Sequence, residues 1–144
     1  MQTREFSIGE AARESGVKVP TIRYYEEIGL LPKIARSEGN RRFYDAGDLR
    51  RLAFIRHARE LGFDVEAIRT LLSLQDRPSQ SCESADAIAR ARLADVEHRI
   101  TRLELLRTEL ETMIRECANG RVSDCRVIET LADGSHRHGR LDQV

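Results

Sequence analysis

The sequence predicts a mainly α-helical chain: a winged helix-turn-helix head, a long helix that pairs with a second copy, and a short C-terminal loop and helix. Three observations support this fold class. Two short helical patterns are joined by a glycine turn near the start, residues 84–116 contain neither Gly nor Pro, and only nine Gly and three Pro occur in the whole chain. That scarcity of turn residues is not typical of a β-sandwich.

Length and composition narrow the class of protein. The 144 residues suit one domain or a small domain with an extension. No apolar run reaches the roughly 18 residues of a membrane span, and the first residues lack a signal-peptide core, so we expect a cytoplasmic protein without a membrane partner. Net charge is zero, but residues 1–56 carry 11 Lys/Arg against 8 Asp/Glu. The sequence therefore indicates a basic head and an acidic body.

The first two helices form the helix-turn-helix. Ser7 and Glu10 match a capping box at the start of the first helix, and Gly16 breaks it. The second helix begins at Val19–Thr21, with Pro at an early helical position, and stops at Gly29. Two short helices joined by a tight turn that contains glycine are typical of this motif.

A wing and two more helices complete the head. Residues 36–44 contain a Gly-Asn turn followed by Phe and Tyr, a pattern that favours a short β-wing. Asp45 opens a third helix that Gly62 ends, and Asp64 caps a fourth. We assign residues 1–75 to this winged helix-turn-helix head and residues 76–81 to a linker.

The long helix carries an apolar stripe at alternating spacings of four and three residues. Its members are Ala89, Leu93, Val96, Ile100, Leu103, Leu110, Ile114 and Cys117, with Arg107 interrupting the pattern. Such a heptad seam would face water on a lone helix, so we expect a two-chain coiled coil. A long helix inside a bundle is less favoured, because no other long helix is predicted. We assign residues 82–117 to this dimerisation helix and 118–144 to a loop, a short helix and a tail.

Basic and hydroxyl side chains gather on the second helix and the wing. In helix-turn-helix proteins the second helix enters the major groove, and guanidinium and hydroxyl groups suit phosphate and base edges. The predicted DNA-contacting residues are Lys18, Thr21, Arg23 and Tyr24 on the helix and Arg36, Arg41, Arg42 and Tyr44 on the wing. The alternative is a solvated charged face.

Four segments together resemble the MerR family of bacterial transcriptional regulators: Phe6–Ala12, Thr21–Leu31, Asn40–Tyr44 and Leu49–Phe63. The resemblance is dense over residues 5–74 and continues along the long helix to Leu131. It implies a winged helix-turn-helix, a homodimer held by an antiparallel coiled coil, and a palindromic site in double-stranded promoter DNA. It also implies RNA polymerase as a partner, at a promoter whose DNA the regulator distorts.

The three cysteines lie at the ends of the long helix. Cys82 and Cys117 are 35 residues apart, which is five heptads along one stripe and roughly 50 Å of helix. Antiparallel pairing would bring Cys82 of one copy against Cys117 and Cys125 of the other. Three thiolates at one point favour thiophilic ions. We therefore predict one ion per site, held by these three cysteines.

The resemblance also bears on the ion. In similar metal sensors a Cys at the start of the dimerisation helix accompanies divalent ions, so Cys82 implies Zn, Cd, Pb or Hg and activation of a heavy-metal resistance or efflux promoter. A monovalent copper, silver or gold sensor using Cys117 and Cys125 alone stays open, because their loop length matches copper-type members. A metal-free thiol-redox regulator stays open as well. His136 and His138 form a candidate auxiliary metal site.

Other classes fit less well. We expect no enzyme, because the sequence contains no Gly-rich phosphate loop, no paired catalytic carboxylates and no Cys-His pair with signs of a pocket. An iron–sulfur cluster usually takes four cysteines and only three are present. A coiled-coil adaptor without sequence-specific DNA binding is the remaining alternative.

Overall fold

A computed structural model describes residues 4–32, 43–117 and 120–135 of the chain. The chain divides into two units, Met1–Ala89 and Arg90–Val144, and each is described by itself. Along the described residues, none of the helices combines the length and the apolar character that crossing a membrane requires.

The helix-turn-helix consists of α1 (Ile8–Ser15) and α2 (Val19–Glu27). The Ser7 hydroxyl accepts the Glu10 backbone N–H and the Glu10 carboxylate accepts the Ser7 backbone N–H, both at 3.2 Å. This confirms the predicted capping box. Gly16 ends α1 in the left-handed conformation, at a φ of 75°. Glycine adopts that conformation without the steric cost a side chain would bring, so the turn into α2 can be tight.

Helices α3 (Ala46–Glu60) and α4 (Val65–Gln75) also begin at local caps. Asp45 and Asp48 form a second reciprocal box, with backbone-to-carboxylate distances of 2.8 and 2.9 Å. Asp64 accepts the backbone N–H of Ala67 at 2.8 Å. The predicted starts of both helices are confirmed.

The core of the first unit is built from one apolar face of each of its helices. Its buried side chains are Phe6, Ala11, Val17, Ile22, Tyr25, Leu30, Leu31, Tyr44, Leu52, Ile55, Ala58, Ile68 and Leu72. Phe6 and Tyr44 form an antiparallel bridge, each donating its N–H to the other's carbonyl at 2.8 Å. The rest of the predicted wing, with Arg36, Arg41 and Arg42, lies outside the described residues.

Two arginines of α3 donate hydrogen bonds to the chain segments on either side of α2. Arg56 Nε donates to the carbonyl of Ser15 at 3.0 Å, directly before the turn. Arg51 Nε donates to the carbonyl of Leu30 at 2.9 Å, just beyond α2, and its Nη1 lies 3.3 Å from the Asp76 carboxylate. Buried backbone carbonyls need such partners, and these two contacts anchor the segments on both sides of α2.

Helix α5 spans Glu83–Glu116, 34 residues. In the second unit it is followed by a single 3-10 turn, Val122–Asp124, and by α6 (Arg126–Ala132). The predicted stripe on α5 faces solvent in the single chain: its exposed members are Leu93, Ile100, Leu103, Leu110 and Ile114. A long helix with an uncovered apolar stripe is the structure that the heptad pattern predicts for one half of a coiled coil.

Candidate metal centre and nucleic-acid interface

The outer face of α2 carries the side chains predicted to meet DNA. Ile22 and Tyr25 are buried, so their neighbours Arg23 and Tyr24 turn outward and are exposed. The Tyr24 ring packs at a tilt of 46° against Tyr25, with 6.0 Å between ring centroids. The exposed Tyr24 ring therefore has an aromatic packing partner on its own helix.

Lys18 and Thr21 lie beside a shallow cleft that the sequence did not reveal. Lys18 is exposed and Thr21 is half-buried. The cleft has a volume of about 370 Å³, and α3 contributes Arg56 and Arg59 to its lining. Tyr25 also lines the cleft, and burial raises the pKa of its phenol. The two α3 arginines are three residues apart, which places them on one face of the helix; that spacing is the signal that could have found them.

Tyr44 does not lie where we expected. We predicted that its hydroxyl contacts DNA from the wing, but the side chain is completely buried. Its hydroxyl instead donates to the carboxylate of Glu26 on α2. The bridge to Phe6 turns the Tyr44 ring into the core, so the expectation is wrong for this residue.

Two of the three predicted metal ligands lie side by side in the second unit. Cys117 directly follows α5 and Cys125 directly precedes α6. Their Sγ atoms are 2.9 Å apart, both thiols are free, and both side chains are half-buried. Soft sulfur donors such as these suit a thiophilic ion rather than Mg²⁺ or Ca²⁺.

Hydrogen bonds at Cys125 favour the charged form of its sulfur. The Cys117 thiol, by donating to Cys125, lowers the pKa of the Cys125 thiol below its ordinary value, and a backbone N–H of α6 adds to the effect. The backbone N–H of Val127 also points at the Cys117 Sγ, at 3.3 Å. Thiolate is the form that binds metal, so the donor set and its surroundings fit a thiophilic cation.

The other three predicted ligands are Cys82, His136 and His138. Cys82 belongs to the first unit, where it directly precedes α5 and is exposed. His136 and His138 lie outside the described residues. Within the part of the chain that the structure describes, no three His, Cys, Asp or Glu side chains are grouped so as to hold an ion.

Two family models together match the whole helical head and most of α5. A model described as the MerR HTH family regulatory protein matches residues 6–75. A second, described as MerR, DNA binding, matches residues 49–113. The chain belongs to the MerR family of helix-turn-helix transcriptional regulators.

Individual relatives include metal-dependent regulators. The heavy metal-dependent transcription regulator 2 of Rhizobium meliloti is 38% identical over 129 residues, covering 90% of this chain and 88% of the relative. The lead(II) complex of PbrR691 from Ralstonia metallidurans is 39% identical with a TM-score of 0.76, covering 88% and 99%. The mercury(II) complex of MerR from Bacillus megaterium is 31% identical with a TM-score of 0.64, covering 88% and 98%.

Proposed function

We propose that this chain is a metal-responsive regulator that binds promoter DNA as a homodimer and activates a heavy-metal resistance or efflux promoter. The observation that carries the proposal is the pair of Cys117 and Cys125 sulfurs, 2.9 Å apart at the end of α5, in a chain that begins with a helix-turn-helix. The metal-bound relatives and the heavy metal-dependent regulator support a metal as the signal.

The homodimer is supported by the uncovered stripe of α5. Five large apolar side chains of this stripe, from Leu93 to Ile114, stay exposed in the single chain, and pairing with a second copy would remove them from water. An antiparallel arrangement would place Cys82 of the partner subunit beside Cys117 and Cys125. The proposed effector is then a divalent ion, Zn, Cd, Pb or Hg, bound by three thiolates at each end of the coiled coil.

The DNA interface follows from the exposed face of α2. We assign phosphate and base-edge contacts to Lys18, Thr21, Arg23 and Tyr24, and add Arg59 because it lines the cleft beside Lys18. We also assign contacts with the DNA backbone to Arg36, Arg41 and Arg42, which lie outside the described residues. Each of the two heads would read one half of a palindromic operator.

Switching requires the ion to favour one state of the dimer. An ion shifts an equilibrium only by the difference between its affinities for the two states. Distorting the promoter so that RNA polymerase can use it costs on the order of 1–6 kcal/mol. Ligation at the interface between the subunits is a suitable source of that difference, because it alters how the two copies meet.

The test separates DNA binding from metal response. The reduced protein would select an operator from a pool of random-sequence duplexes, and a promoter carrying that operator would be transcribed in vitro with RNA polymerase. We expect Cys117→Ser to bind the operator as the unaltered protein does and to lose activation by Zn, Cd, Pb and Hg. Activation of this variant by every thiophilic metal would refute the site.

A second variant distinguishes the ion class. Cys82→Ser should abolish the response to divalent ions if the partner's thiolate completes the site. A Cys82→Ser protein that still responds to Cu(I) points to a monovalent sensor that uses Cys117 and Cys125 alone. A response that persists in reduced protein after complete metal chelation would support the thiol-redox alternative.

A further inference from the structure

Two oppositely charged side chains flank the cysteine pair. Glu116 directly precedes Cys117 and is the last residue of α5, while Arg126 directly follows Cys125 and is the first residue of α6. Arg126 Nε lies 2.9 Å from Glu116 Oε2. This ion pair, the Glu116–Arg126 clamp, therefore joins the two chain segments that carry the sulfurs.

The clamp acts together with two contacts already described. The Cys117 and Cys125 sulfurs touch, and the Val127 N–H donates to the Cys117 Sγ. All three contacts close the same loop between α5 and α6. Closing a loop costs chain entropy, and a site ordered in advance binds more tightly because less ordering is left for the binding step.

We propose that the Glu116–Arg126 clamp positions Cys117 and Cys125 side by side before a metal ion binds, and so raises the affinity of the site. Arg126 is a positioning residue in this proposal, because it acts through the loop and not as a ligand. The inference rests on the proposed function, since it presupposes that the two thiols bind a thiophilic cation.

Charge gives this role a distinct signature. A guanidinium beside a cation site opposes cation binding by simple repulsion, so its neutral replacement should tighten binding if charge alone mattered. Loss of the clamp should instead weaken binding of the cation. Both side chains are about half exposed, at 47% for Arg126 and 50% for Glu116, so the expected effect is modest.

The experiment measures Zn²⁺ and Cd²⁺ affinity of the reduced full-length protein against a chromophoric chelator, with cadmium–thiolate ultraviolet absorption as a second readout. We expect Arg126→Gln to weaken binding by about two- to fivefold, the range of a half-exposed ion pair. Glu116→Gln and the double variant should weaken it by a similar factor, since the second change removes a partner that is already lost. Arg126→Lys should restore most of the affinity.

Glu129 supplies the matched control. Its carboxylate lies 3.1 Å from Nη1 of the same arginine, but within α6, so Glu129→Gln removes an equal charge without opening the loop. We expect it to change the affinity by less than Glu116→Gln does. The clamp proposal is refuted if the Arg126→Gln variant binds the ions as tightly as the unaltered protein, or more tightly.

Cys117→Ser separates this inference from the proposed function. If Cys117→Ser loses ion binding while Arg126→Gln does not, only the clamp is refuted. If Cys117→Ser binds Zn²⁺ and Cd²⁺ with unchanged affinity, the proposed metal site and the clamp are both refuted.

Discussion

Truncating one leucine of the α5 stripe should weaken dimerisation of the chain. Leu103 keeps 47% of its surface exposed in the single chain, so a second copy can bury about half of it. Removing a fully buried leucine side chain costs about 2–5 kcal/mol, including the cavity that remains. Because only about half of the side chain becomes buried on pairing, each copy loses about half of that free energy. The dimer contains the substitution twice, so the two losses add. We therefore expect Leu103→Ala to weaken dimerisation by about 2–5 kcal/mol, or at least about 30-fold in Kd.

Leu105 is the matched control on the same helix. It is 67% exposed, and two residues correspond to roughly 200° around the helix axis, which puts it opposite Leu103. Both exchanges remove the same atoms, and alanine favours helix in each case. Leu105→Ala should therefore leave Kd nearly unchanged.

Sedimentation equilibrium of the reduced, metal-free protein over a range of concentrations measures both constants. Two results would refute the reasoning. In the first, Leu105→Ala dissociates the dimer as strongly as Leu103→Ala, so the stripe is not the interface. In the second, the unaltered protein remains monomeric at micromolar concentrations.

Two further predictions concern single side chains. The pKa of the Cys125 thiol lies below its ordinary value because the Cys117 thiol donates to it, so the stability that this ionisation contributes is full above the ordinary thiol pKa and is lost as pH falls from there through the lowered pKa. In a Cys82→Ser background, Cys117→Ala should move Cys125 ionisation to higher pH, followed by the ultraviolet absorbance of the metal-free thiolate; an unmoved midpoint contradicts the assignment. Tyr44→Phe removes the hydroxyl that donates to Glu26, and should lower the free energy of unfolding in urea by about 1–3 kcal/mol. Operator affinity should stay the same, whereas a loss of DNA binding at unchanged stability would support a phosphate contact.

Elements that depend on neighbouring residues were predictable from the sequence. The boxes at Ser7 and Asp45 join groups three residues apart, so residue types alone locate the starts of α1 and α3. The heptad stripe is a periodic property of one segment, and its exposure follows from the helix that carries it. The nearness of Cys117 and Cys125 could also be anticipated, because only seven residues separate them in the sequence.

Contacts between distant segments needed the tertiary structure. Tyr44 looked like a wing residue facing DNA, but its ring is buried because the chain pairs it with Phe6. The sequence did not single out Arg59, which lines the cleft beside Lys18 only because α3 packs next to the turn before α2.

The sequence by itself determined where the helices begin, which apolar stripe is left to be covered by another helix and which two thiols lie near each other, because these depend on spacing within one segment. The direction of Tyr44, the cleft beside Lys18 and the ion pair of Glu116 with Arg126 were decided only by the tertiary structure. Each of them requires two segments to come into contact. The path of the chain between two segments cannot be predicted from the residue pattern of either segment alone.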